Sequence, residues 1–181
     1  MATAVAGYTK RRANAPGGFF AVEAAGLRWL NVPGGAPIVS VLAADAESIT
    51  ISRVTQVAPT AKAARAFGEA LAHTHDAGAA AFGVGPDGWD ADGFIGDAPL
   101  SLRPHSHWGE FFAAERILPY AQAAHRQGAL DAPGLARIES LAERLAAGEF
   151  DDDATVARIH GDLWSGNVLF TATSATLIDP A

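Results

Sequence analysis

Asp162, Asn167 and Asp179 are the residues whose types and spacing could do chemistry together. Asp162 and Asn167 lie in a polar stretch with Gly161, Ser165 and Gly166. Two short apolar runs follow, over 168–170 and 176–178, with Ala-Thr-Ser at 172–174 between them. The runs have strand composition and the separator has turn composition, so a hairpin is expected. It would bring Asn167, entering the first strand, beside Asp179, leaving the second, with Asp162 just outside. Two carboxylates and an amide oxygen converging on one point make a hard-oxygen site, suited to magnesium carrying a phosphate chain. The plainer alternative is a polar turn whose hairpin is packed for stability alone.

A second constellation lies near the start of the chain. Phe19, Phe20, Glu23, Leu27 and Leu30 recur at helical spacing, which predicts a helix over about 18–31 with Pro16 at its start. Glu23 falls on or beside the apolar stripe, where a carboxylate calls for a cation. Lys10, on a strand expected over residues 5–10, is the obvious partner, and Arg11 and Arg12 compete with it. His73 and His75, two apart on a helix, point to different faces and are poor joint metal ligands.

The elements that must position these groups follow from pattern. Residues 31–37 form a Pro/Gly turn. Residues 38–42 and 48–54 are β-branched runs joined by a polar turn at 45–47. With the Lys10 strand they predict a small antiparallel sheet under the first helix. A helix is expected from Thr60, its N-cap, to Gly78, with Ala64, Phe67, Leu71 and His75 on one face. Residues 79–107 form a long Gly/Pro/Asp-rich loop, of the kind usually ordered around something. Helices over 108–127 and from Pro133 to Gly148 come next, the second with Leu135, Ile138, Leu141 and Leu145 on its inner face. An acidic turn at 149–153 leads to a strand over 155–159 that delivers His160 into the polar stretch.

The sequence has 181 residues, 49% of them hydrophobic and 18% charged, which is globular rather than disordered. No apolar run approaches the ~20 residues of a membrane span, so no membrane partner is expected. A net charge of −7 argues against non-specific nucleic-acid binding. Cysteine is absent, which excludes a disulfide framework and thiolate metal sites. The cytoplasm is the expected location.

The order Asp, Asn five residues on, and Asp beyond a hairpin resembles the catalytic loop and metal-binding Asp of kinase-like phosphotransferases. His-Gly-Asp at 160–162 is similar to the aminoglycoside phosphotransferase type, and the longer His-Gly-Asp-Leu-Trp-Ser-Gly-Asn over 160–167 resembles the fructosamine kinase (ketosamine-3-kinase) family. Lys10, Asn-Ala-Pro at 14–16, the run 20–27 and Trp-Gly-Glu-Phe-Phe at 108–112 with Arg116 extend that likeness to most of the chain. The resemblance implies an α+β, protein-kinase-like two-lobed fold. Residues 1–57 would form a partial N-lobe of sheet and helix, and 58–181 a partial, mainly helical C-lobe carrying the catalytic hairpin. Against the family pattern the chain is expected to be truncated at both ends, without the glycine-rich hairpin and the last helices.

The resemblance also implies the roles. The activity would be ATP- and Mg²⁺-dependent phosphorylation of a sugar hydroxyl on a small-molecule or protein-bound ketosamine, a step of protein deglycation. Asp162 would be the base, and Asn167 and Asp179 the magnesium ligands. Lys10, oriented by Glu23, would hold the ATP phosphates, and His160 would brace the loop. Residues 52–57 fall where the resembled fold links its lobes and binds adenine through backbone groups, although Ser52-Arg53 departs from the acidic residue the family usually shows there. Residues 89–96 would help form the sugar pocket, or else anchor the fold through their aromatics. Two alternatives stand beside this reading: another small-molecule kinase of the aminoglycoside or choline type, and a non-catalytic remnant.

Overall fold

The alternation in Ser-Ile-Thr-Ile-Ser makes Ser48–Ser52 a strand with one buried face, Ile49 and Ile51 pointing inward. In the computed structural model, which describes residues 6–153 and 155–181, this strand is the middle of a three-stranded antiparallel sheet. Its neighbours are β1 (Gly7–Arg11) and β2 (Val41–Ala44), and the central strand is β3. Lys10 pairs in register with Ile49. Val5, where the first strand was expected to begin, lies outside the described residues.

Helix α1 (Phe19–Leu30) covers the sheet with Phe20, Ala24 and Leu27, spaced one turn apart, against Val39, Ile49 and Ile51. The expected helix is present, but Pro16 lies in the turn before it, where its carbonyl accepts from Phe19 N–H. Helix α2 (Ala61–Asp76) starts on Thr60, whose Oγ1 accepts from Ala63 N–H, as its N-cap signal predicted. Its buried residues are Ala63 and Thr74, and Ala64 is exposed, so the inner face is rotated by one residue from the predicted one. The chain later returns to this same unit and closes with the hairpin β6 (Val168–Phe170) and β7 (Ala175–Leu177). Leu177, fully buried, makes a parallel bridge with Ile38, and its N–H donates to Pro37 O at 2.8 Å.

Contacts divide the chain into two units. The first comprises Met1–Gly78, Pro86–Trp89 and Ala157–Ala181; the second comprises Ala79–Gly85 and Asp90–Val156. The second unit has its own small core of Ala113, Ala142 and Leu145 flanked by Trp108, Phe112, Ile117 and Leu118. It contains a hairpin, β4 (Gly93–Ile95) and β5 (Ala98–Leu100), in the segment predicted as loop.

The helix predicted over 108–127 is a composite: α3 (Trp108–Phe111), a π-helical stretch Phe112–Ile117, and α4 (Leu118–Arg126). Pro119 supplies a reason. It has no N–H for the Glu115 carbonyl four residues back, and that carbonyl accepts from Arg116 Nη1 at 3.0 Å instead. Helix α5 (Ala132–Ala146) matches its prediction, with Asp131 as N-cap, although Leu141 faces outward and Ala142 lies in the core. The strand expected over 155–159 is not formed. Thr155, Val156 and Ile159 are β-branched, but among the described residues the segment finds no partner strand, and Ile159 is exposed. Among the described residues no helix is long and apolar enough to cross a membrane.

Candidate active site

The register of the β6–β7 hairpin fixes the site. Val168 pairs with Leu177, which sets Asn167 opposite Ile178, and Ile178 N–H donates to Asn167 O at 3.2 Å. Asn167 is buried at the end of a 3-10 turn, Ser165–Asn167. Its amide nitrogen donates to Asp162 O at 2.9 Å, to Asp162 Oδ2 at 3.0 Å and to Asp179 O at 3.4 Å. All three partners can only accept, so the amide orientation is determined. Among the described residues its oxygen, Oδ1, accepts nothing.

Asp179 also engages the start of the chain. Lys10 Nζ donates to Asp179 Oδ1 at 2.6 Å and also to Glu23 Oε1. Five side chains thus form one connected path, Glu23–Lys10–Asp179–Asn167–Asp162, passing through the Asp179 backbone. Glu23 is almost wholly buried on α1, and burial pushes its carboxyl above the ordinary range against the opposing pull of Lys10. Asp179 adopts a left-handed backbone (φ 56°), uncommon for a residue with a side chain.

His160, buried beneath the loop, ties its two halves together. Its Nε2 lies 2.8 Å from Ile178 O, which can only accept, while Asp162 N–H donates to Nδ1 at 3.3 Å. These partners select the neutral tautomer with the proton on Nε2. Burial lowers its pKa, though the Ile178 carbonyl and the nearby carboxylates pull the other way. Gly161 makes the tight step between His160 and Asp162. Its φ is +85°, and an added Cβ would lie 2.1 Å from Ala181 O.

A cleft of ≈ 280 Å³ opens beside Lys10 and Asp179. Val39, Ile51, Val54, Leu169 and Ile178 give it apolar walls. Within 52–57, three N–H groups are already committed: Ser52 to Ser40 O, Arg53 to Ala6 O and Val57 to Phe170 O. The N–H groups left for a ligand in this stretch are those of residues 54–56.

The structure therefore brings Lys10 to Glu23, and Asp162 to Asn167. Asn167 meets the Asp179 carbonyl, while the Asp179 carboxylate bonds Lys10. Among the described residues no three His, Cys, Asp or Glu side chains gather into a metal-binding cluster. The donors that remain, Asn167 Oδ1 and the partly exposed Asp179 carboxylate, are hard oxygens, and their chemistry fits magnesium. Sequence reasoning missed Arg158, which stands two residues before His160; the signal was a lone cation inside an apolar run. It also missed the buried pair of the second unit, His105 Nε2 to Glu115 Oε1 at 3.1 Å.

Residues 8–181 match the sequence model of fructosamine kinase. The chain belongs to the fructosamine kinase family. Its backbone is similar to that of a Thermobifida fusca protein designated a fructosamine-3-kinase, with TM-score 0.87 and 39% identity over 98% of this chain and 60% of that one. A Synechocystis protein named as a ketoamine kinase is 36% identical over 116 residues, 64% of this chain and 37% of the relative. The Arabidopsis thaliana chloroplastic protein-ribulosamine 3-kinase is 30% identical over 119 residues, 34% of its length. The chain thus spans roughly a third of the curated relatives it matches.

Proposed function

We propose that the protein transfers the γ-phosphoryl group of ATP to a sugar hydroxyl of a ketosamine, free or protein-bound, in the cytoplasm. The reading is for the whole protein and draws on a two-lobed organisation divided near residue 57, with the chain covering part of the family fold. The observation that carries it is the connected path from Glu23 to Asp162, which joins the five residues chosen by motif across almost the full length of the chain.

The residues divide the work by position. The apolar walls of the cleft would take adenine, with the free backbone at 54–56 supplying its polar contacts. Lys10, held by Glu23, would exchange its contact with Asp179 for phosphate oxygens. Asp162 takes the acceptor hydroxyl's proton as that oxygen bonds to the γ-phosphorus and the bond to the β-phosphate oxygen breaks. Asn167 orients the Asp162 carboxylate by donating to it. Magnesium, held by Asn167 Oδ1 and Asp179, would neutralise charge on the phosphate oxygens. Most of the rate is expected from alignment and charge compensation.

The test is an acceptor panel with ATP and Mg²⁺: fructose-lysine, a glycated peptide, an aminoglycoside and choline. Phosphorylation of the two ketosamines alone is expected. Turnover of the aminoglycoside or choline in their place would overturn the substrate class, and no transfer to any acceptor would overturn the activity.

A further inference from the structure

We propose that Arg158 is a positioning residue, which sets the loop bearing Asp162 at a fixed distance from the helix bearing Glu23. The proposal rests on the reading of Asp162 as the base. The chain entering that loop has little else to hold it. Residues 155–159 pair with no strand, and Ile159 is 56% exposed, so neither a ladder nor apolar burial fixes their path.

Arg158 supplies the anchorage. Its N–H donates to His75 O at 3.2 Å, its Nε to Gly78 O at 3.0 Å, and its Nη1 to Trp29 O at 2.6 Å. The guanidinium carbon lies 4.4 Å from the centre of the Trp29 ring. The carbonyls it takes lie in the last turn of α1 and just beyond α2, where cations are favoured. Trp29 O has a particular need of it, because the residue four ahead is Pro33, which has no N–H to give.

One planar group thus fastens two helix ends while its face rests on an indole. A lysine keeps the charge but cannot bond two carbonyls in that fork geometry. Along α1, Trp29 stands six residues after Glu23, about 9 Å at the helical rise. Asp162 stands four residues after Arg158. Arg158 is therefore the joint between the part that orients Lys10 and the part that carries the base.

Arg158→Lys and Arg158→Gln in the intact protein test this, at a temperature where circular dichroism shows each variant folded. For Arg158→Lys, kcat is expected to fall on the order of 10- to 100-fold with KM for ATP hardly changed. Amide exchange at 160–163 in the unligated protein is expected to quicken by about tenfold or more. Arg158→Gln serves as the charge-free comparison and is expected to behave like the lysine variant if geometry governs. A lower melting temperature with normal kcat and normal exchange would show mere stabilisation and overturn the proposal. Normal exchange alone would overturn it too. Should the wild-type protein phosphorylate no ketosamine, the functional reading fails, and the exchange result still decides whether Arg158 anchors the loop.

Discussion

Lys10 stands between two carboxylates, and the two are held differently. Glu23 is mostly buried on α1, and burial raises its pKa in spite of the ion pair, so its charged form is penalised there. Glu23→Gln should leave stability within about 1 kcal/mol of wild type, because burial already offsets the ion pair and Lys10 keeps Asp179 as its partner. Phosphoryl transfer should nonetheless fall on the order of tenfold or more, since Lys10 loses the group that aims it. Denaturant unfolding beside steady-state kinetics checks both halves, and unaltered kinetics would remove Lys10 from the account. His160 gives a prediction of the opposite kind. Its folded pKa lies below the ordinary 6.5, so the unfolded chain binds the proton more readily. Stability should be full above that ordinary value and decline as pH falls below it. His160→Ala should lose about 1–3 kcal/mol by leaving Ile178 O and Asp162 N–H unpaired, and should flatten that part of the pH profile. Urea midpoints between pH 5 and 8 would read both, as an order-of-magnitude window around a histidine's range. The identities of these residues were legible in the sequence because motif spacing carries them. The bond between the Asp179 carboxylate and Lys10 was not, because the two stand 169 positions apart in the sequence.

Among the elements, the ones the sequence announced are those with strong period or caps. The β-branched run around Ile49 and Ile51, the stripe with Phe20, Leu27 and Leu30, and the Thr60 cap became structure where expected, while the Asp131 cap of α5 had not been read. The misses have physical causes. Residues 155–159 have strand composition, but a strand needs a partner edge, and pairing is not a property of the segment. The β4–β5 hairpin was hidden by Gly93 and Pro99 in its short strands, although Gly96-Asp97 between them is a two-residue turn signal. The π-helical stretch follows from Pro119, a cue that was present and unread. Close packing in the second unit yields a prediction as well. A Cβ on Gly109, in α3, would lie 2.0 Å from Leu145 O of α5. Gly109→Ala should therefore push the two helices apart and destabilise that unit by about 1–3 kcal/mol, as overpacked cores do. Chemical denaturation followed by the fluorescence of Trp108, which stacks on Phe112 in the same core, would report it. A variant as stable as the parent would mean that the helices can separate freely there.

At the level of the whole molecule, residues near both ends of the chain meet in one unit. Strand β1 supplies Lys10, α1 supplies Glu23, and the last twenty or so residues, with the β6–β7 hairpin, supply the rest. The hairpin reaches this sheet through Leu177, bonded to Pro37 O and giving its own carbonyl to Val39 N–H. Fold and site are thereby coupled, because the register that buries Leu177 is the register that sets Asn167 opposite Ile178, next to Asp179. In the proposed function this assembly places Asp162 where an acceptor hydroxyl loses its proton. Asp162→Asn tests it most directly, with ATP binding measured by titration and phosphate transfer to fructose-lysine measured in the same preparations. The expected result is ATP affinity close to wild type with transfer reduced on the order of 10²- to 10⁴-fold, the usual contribution of a positioned proton acceptor. Transfer at the wild-type rate by Asp162→Asn, with ATP still bound, would contradict the account.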